Sequence, residues 1–337
     1  MYKNFLRPLL FLLEPETAHD LTINLAKVFQ KFDFLTGRAG SVFSGPDAPV
    51  EVMGLKFRNP VGLAAGFDKN CEIYRFLSKL GFGFLELGTV TLHAQAGNPR
   101  PRLFRIQESS AIINRMGLNN AGAAEAAKNL ERIGKTEIPL GISIGKNTDC
   151  SLEKAPENYL ETLKILYPHG DYFVLNISCP NVPDAGRLCR PGYVLSVLEP
   201  VMEFMESMGR KPLFIKIPCD LTGRETAGMA NIAVEYGTGL AASNTANSRE
   251  GVPEKWKTEK GGLSGAPLEE ISNKIISGIR AVSKTVPVIG TGGVTSPESA
   301  LKKLKLGANL VEVYTGMIYN GPFFVKEILK YIALEGK

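Results

Sequence analysis

The chain is predicted to form an α/β fold, a closed parallel (β/α)8 barrel of the TIM type, with a small N-terminal helical extension. Three observations lead there. Eight short, nearly continuously apolar runs recur at 59–65, 82–88, 138–144, 172–177, 213–217, 239–243, 286–289 and 310–314, the pattern of strands buried on both faces. Helical patterns lie between them, for example at 73–80, 152–167, 193–208 and 268–283, and regular alternation of this kind builds a parallel sheet. Polar residues gather just past the C-terminal ends of the runs, where a barrel carries its chemistry.

Residues 1–40 differ from the rest of the chain. Two short helical patterns meet at Glu14-Pro15, and Pro15 suits a helix start, where a missing N–H costs nothing. Phe5, Leu6, Leu9, Leu10, Leu12 and Leu13 give the first an unusually apolar surface, and Leu21, Leu25, Val28 and Phe29 recur at helical spacing in the second. Such helices can dock on a barrel as a cap. So many large apolar side chains instead favour a segment lying in a membrane interface, with Lys3 and Arg7 near headgroups. The expected organisation is a membrane-associating segment at 1–40 and a barrel at 41–337. Within the barrel, two long connections at 91–119 and 247–265 read as lids or pocket walls.

Composition bounds the rest. At 337 residues the chain accommodates one barrel of about 250 residues with insertions. A formal charge of +5 with no dense Lys/Arg block gives no indication of a nucleic-acid partner. Five scattered cysteines form no C-x-x-C pair, and the three histidines His19, His93 and His169 are far apart, so no metal-ligand spacing is present. With no secretory signal, an odd number of cysteines fits a reducing, cytoplasmic setting. No run approaches the ~20 apolar residues needed to span a bilayer.

The strand ends carry the informative residues. The first ends in AAGFDKN with Lys69, the second in GTVT with Thr89, and the third in Ser143, Lys146 and Asn147. The fourth passes abruptly from 172–175 to Asn176, Ser178, Cys179 and Asn181; this stretch alone also fits a strand followed by an inert core cysteine. Lys216 sits between Ile215 and Ile217, pointing into the barrel or out against helices, and an inward lysine needs an anionic partner. Gly290, Gly292 and Gly293, with Tyr314-Thr315-Gly316 after the last strand, suit a phosphate cradle, although tight turns alone also use glycines. GTGG does not match the dinucleotide spacing.

Taken together, AAGFDKN, the loop from NPRPRLFR to NRMGLNNAG, NISCPNVP, GGLSGAPL, GTGGV and YTGMIYNGP resemble the dihydroorotate dehydrogenases, from about residue 50 to the end. LLFLLEPETAHDLT and PRLFR resemble the quinone-reducing, membrane-associated branch, class 2. The resemblance implies an FMN enzyme that oxidises (S)-dihydroorotate to orotate in de novo pyrimidine (UMP) synthesis, with a membrane quinone reoxidising the flavin. It implies flavin contacts from Ala65, Gly66, Thr89, Ser143, Asn176, Lys216, Ser243, Gly265, Gly293, Tyr314 and Thr315. Substrate contacts would come from Lys69, Asn114, Arg115, Met116, Gly117, Leu118, Asn176, Asn181, Asn244 and Thr245. Amides offer donors and acceptors together to an imide-like ring, and a lysine meets its carboxylate.

Cys179 occupies the position of the base, and His19 and Arg105 correspond to residues lining a quinone pocket. Two residues depart from the branch. Cysteine at 179 is the residue of the soluble class 1 enzymes, where class 2 carries serine, and Ser143 stands where asparagine is expected. The acceptor therefore stays open between a quinone, favoured by residues 1–40, and fumarate or NAD. Other readings of the strand ends are a barrel that binds flavin or phosphate without turnover, and a Schiff-base enzyme using Lys216. The resemblance, with no transit peptide, places the protein peripherally on the cytoplasmic face of a bacterial inner membrane; the sequence leaves oligomeric state open.

Overall fold

In the computed structural model, residues 2–32, 40–177 and 190–335 are described. The eight-stranded parallel barrel is present and closed. A hairpin of β1 (Val50–Val52) and β2 (Leu55–Phe57) precedes it. The barrel strands are β3 (Val61–Leu63), β4 (Phe84–Val90), β7 (Leu140–Ile144), β8 (Tyr172–Asn176), β9 (Leu213–Ile217), β10 (Gly239–Ala242), β12 (Val288–Gly290) and β13 (Leu310–Val313). Each pairs in parallel with its neighbours in chain order, and β13 closes on β3. The seventh strand starts at Val288 rather than 286 because Pro287 has no N–H for the ladder and only its carbonyl is used, by Leu240.

The two long connections fold together instead of hanging free. One carries β5 (Leu103–Ile106) and β6 (Ala111–Asn114), the other β11 (Gly262–Gly265), and the three form an antiparallel sheet in the order β11–β6–β5 over the barrel mouth.

The pleat sorts the barrel side chains into two sets. Leu85, Leu87, Phe173, Leu175, Ile215 and Val311 face outward into the core shared with the helices. Phe84, Tyr172, Val174, Phe214, Ile289 and Leu310 face inward and pack with Val52 and Phe57 of the hairpin, which plugs the N-terminal end. Space for these rings comes from glycine. A Cβ on Gly141 would lie 2.0 Å from Tyr172 Cζ, and one on Gly62 would lie 2.3 Å from the Phe84 ring. Two residues beyond Phe84, Phe214 and Leu310 come Glu86, Lys216 and Glu312, which the pleat turns into the same interior.

Before the barrel lie α1 (Arg7–Leu12) and α2 (Pro15–Phe29), broken at Glu14-Pro15 as the sequence predicts. The Glu14 carboxylate accepts from Thr17 N at 2.9 Å and caps α2. The segment is tied down by polar contacts. Glu16 is buried against Arg102, whose guanidinium reaches it at 2.7 Å and 3.1 Å while also donating to Ala96 O and Asn98 O. Burial opposes the Glu16 charge, but Arg102 outweighs it and holds the carboxyl below its usual range. Arg7 donates to Tyr319 O, and Arg105 to Leu10 O and Leu13 O at the end of α1. Large apolar side chains are left outward: Phe5, Leu9 and Leu12 are 67%, 63% and 83% exposed. Among the described residues no helix is long and apolar enough to cross a membrane.

Overpacking the interior should be costly. Gly141→Ala is expected to lower the unfolding free energy by about 1–3 kcal/mol in chemical denaturation. Gly192→Ala, in a helix with open space at its Cβ, should be neutral or stabilising.

Candidate active site

A cavity of roughly 1290 Å³, open to solvent, occupies the C-terminal mouth of the barrel. Lys216 and Glu312 lie in its floor. The Lys216 ammonium is 2.9 Å from Glu86 Oε1 and 4.0 Å from Glu312 Oε2, with all three side chains under 10% exposed. Burial works against the lysine charge, but the two carboxyls outweigh it and raise Lys216 above an ordinary lysine. The anionic partner an inward lysine requires is therefore present.

One wall is a relay of amides and hydroxyls. Asn244 Nδ2 donates to Asn176 Oδ1 at 3.2 Å, Asn176 Nδ2 donates to Thr89 Oγ1 at 2.9 Å, and Thr89 and Ser143 share a 3.0 Å hydrogen bond. Asn176, Thr89 and Asn244 line the cavity; Ser143 is buried beneath and positions Thr89 instead of facing the space.

The opposite rim is backbone. Gly265, Gly293, Thr315 and Gly316 line it. Gly292 and Gly293 have φ of +93° and +77°, and a Cβ on Gly293 would lie 2.3 Å from Glu269 Cα, so only glycine fits this turn. A glycine turn of this kind lets a ligand approach the backbone closely, and Ser264 and Thr315 hydroxyls meet at 2.9 Å beside it.

Towards the N-terminal helices the cavity meets Lys69, His19 and Glu16. Burial lowers Lys69 to about 8, Glu16 opposing. The end of β6 contributes Asn114, and the loop after it Met116, Gly117 and Leu118. Arg115 is not brought into this lining. It ion-pairs with Glu259, donates to Pro101 O, and lies 4.7 Å over the Phe104 ring. Alternation along the extended segment turns it away from its neighbours. Ala65, Gly66, Ser243, Thr245 and Tyr314 complete the residues that the structure brings together. Cys179 and Asn181 lie outside the described residues; β8 reaches the cavity wall at Asn176, three residues before the cysteine.

A second cavity lies between the N-terminal helices and the barrel. Leu10, Phe11, Phe67, Phe76, Met317 and Ile318 make it mainly apolar, and Arg105 supplies a charge. It abuts the first, because His19, Leu103, Ile112 and Tyr314 line both. His19 packs edge-on against Phe67 at 5.3 Å. Burial and the Lys69 charge push its imidazole down to about 3, so it is neutral at physiological pH.

Sequence reasoning missed Glu86, Glu312 and the Glu16–Arg102 pair. The signal for the first two was legible, since a single acid stands inside the apolar runs FLELG and LVEVY. Glu16 gave none, because its partner lies 86 residues away.

A polar floor, an amide wall and a backbone anion rim suit a ligand with a phosphate at one end and a flat polar ring at the other. Comparison with known proteins gives the family. The family model for dihydroorotate dehydrogenase matches residues 48–334. The dihydroorotate dehydrogenase (quinone) of Christiangramia forsetii is 43% identical over all of both chains, and that of Legionella pneumophila is 43% identical over 97% of this chain and 98% of its own. The ligand-free DHODH structure from Eimeria tenella superposes with a TM-score of 0.86 at 35% identity over 94% of each chain. With the barrel, the paired cavities and matches spanning the whole sequence, the chain belongs to the dihydroorotate dehydrogenase family.

Proposed function

We propose that the protein oxidises (S)-dihydroorotate to orotate in de novo pyrimidine synthesis, binding FMN at the barrel mouth and delivering the electrons to a membrane quinone. The observation that carries this reading is the pair of abutting cavities, one polar and floored by Lys216, the other apolar and roofed by the N-terminal helices. A soluble acceptor needs no such second chamber. The family is flavin-dependent, and a single-phosphate flavin suits one backbone anion rim.

Oxidation removes a proton from C5 and a hydride from C6, leaving a C5=C6 double bond. When bound, FMN supplies the two-electron acceptor that takes the hydride and passes the electrons to the quinone. Every other task falls to the chain. Cys179 Sγ takes the C5 proton; a thiol, with a reference pKa of about 8.5, ionises far more readily than a hydroxyl. The Lys69 ammonium meets the substrate carboxylate, while Asn114, Asn176, Asn181 and Asn244 hold the ring amides. Thr89, fixed by Ser143, keeps the Asn176 amide in one orientation. Lys216, in the cavity floor, would hold positive charge beside a bound flavin and would favour its electron-rich form. Gly265, Gly293, Tyr314 and Thr315 hold the phosphate end, with Ala65, Gly66 and Ser243 against the ring.

Residues 1–40 form the membrane-associating part and 41–337 the catalytic barrel. The exposed Phe5, Leu9 and Leu12 insert at the interface. His19 and Arg105 line the quinone's path, and the protein sits peripherally on the cytoplasmic face of the inner membrane.

Dihydroorotate should bleach the yellow protein anaerobically, and a quinone should restore the colour faster than fumarate or NAD does. Cys179→Ala should slow bleaching by about 10²–10⁴-fold; an unchanged rate removes the thiol from the mechanism, and preferential reoxidation by fumarate or NAD removes the quinone. Lys69 is charged below, and neutral above, about 8. Orotate affinity should therefore fall as pH rises through that value, whereas Lys69→Gln should bind weakly with no such dependence.

A further inference from the structure

The interior layer beneath the cavity holds one cation and two carboxyls. Lys216 spends its close contact on Glu86 at 2.9 Å, and Glu312 stands 4.0 Å from it, beyond hydrogen-bond range. Glu86 Oε2 and both Glu312 oxygens are buried without a donor among the described residues. Buried carboxylate oxygens in that condition are expensive. Two ionised carboxylates against one ammonium would also leave a net negative charge among side chains that are all under 10% exposed.

One proton resolves both problems. The Glu86 and Glu312 carboxyls both neighbour the Lys216 ammonium, at 2.9 Å and 4.0 Å, so a proton on one of them turns an acceptor into a donor and makes the trio neutral. The proton belongs on Glu312, because Glu86 is the group that Lys216 contacts. Among the described residues the remaining surroundings supply no second counter-charge. Tyr172, from β8, is the other titratable group bearing on the pair; its hydroxyl donates to Leu85 O at 3.3 Å and is held neutral by burial and the two acids. The neighbouring strands present Gly62, Ala64, Ile289 and Thr291.

We propose that Glu312 is a neutral carboxylic acid in the working enzyme, a positioning residue that leaves the Lys216–Glu86 pair balanced beneath the flavin. Its consequence rests on the proposed flavin chemistry, though the protonation itself does not. An ionised Glu312 in the cavity floor would oppose the negative charge that two-electron reduction brings to the ring. A neutral one leaves the charge of Lys216 to act, tempered only by Glu86. Burial first, and then the Glu86 charge, raise the Glu312 carboxyl well above a normal glutamate.

The test compares the wild-type holoenzyme with Glu312→Gln, which keeps the shape and imitates the neutral acid. In the unfolded chain Glu312 ionises near the ordinary glutamate value of about 4.3. In the folded chain it stays protonated, so folding loses ground as pH rises above that value until the folded-state value is passed. The melting temperature of Glu312→Gln relative to wild type should therefore climb with pH from mildly acidic to neutral. Its flavin midpoint potential at neutral pH should equal that of wild type.

A relative melting temperature that falls with pH, or a potential raised by the substitution, would each overturn the proposal, since each means that a negative charge was lost; should Glu312→Gln fail to fold, Glu312→Met, uncharged at every pH, gives the same two readings. The melting comparison needs no turnover. A protein purified without flavin would defeat the functional reading and still answer the question about Glu312.

Discussion

Lys216 paired with Glu86 inside the barrel is the contact on which the site depends. Three strands that are apolar up to that level change character in one step, from Phe84, Phe214 and Leu310 to Glu86, Lys216 and Glu312. Below this level the interior is a close-packed hydrocarbon and aromatic plug. Above it the interior is a polar chamber. A cation can be held there only because carboxyls are buried beside it, and removing one partner of such a pair leaves an uncompensated charge costing about 3–5 kcal/mol. The plug beneath fixes the strand positions that keep the pair together.

The second constraint is the seam between helices and barrel. Glu16 and Arg102 meet with both side chains almost fully buried, and Arg102 also binds carbonyls of its own loop. One ion pair thus orders both α2 and the segment leading to β5. The same seam holds His19 and Tyr314 in the partition between the two cavities. Docking turns Leu10 and Phe11 to the chamber and leaves Leu9, Leu12, Leu21 and Leu25 outward, so the helices carry apolar side chains on both sides.

Most of the fold was legible in the sequence, because strands buried on both faces and separated by helical patterns allow few architectures. All eight barrel strands lie where the apolar runs put them, with ends moved by local chemistry such as Pro287. The hairpin at Val50–Phe57 and the sheet of β5, β6 and β11 were not legible. Their strands are three or four residues long, and the sheet joins loops separated by some 150 residues. Of the candidate site, residues at strand ends emerged because position alone marks them. Arg115 shows the limit: a motif names a loop, but which side chains turn inward depends on partners such as Glu259 that only the fold supplies. Glu312 shows the converse, an acid inside an apolar strand that needed the barrel to bring Lys216 and Glu86 beside it.

The most direct test of this arrangement is a crystal structure of the flavin-loaded protein with orotate bound. The expected result is an isoalloxazine ring lying over the Glu86–Lys216–Glu312 layer, its pyrimidine edge within hydrogen-bond reach of the Lys216 ammonium. A ring bound elsewhere, or a Lys216 turned wholly to its carboxyl partners and out of the ligand's reach, would contradict it.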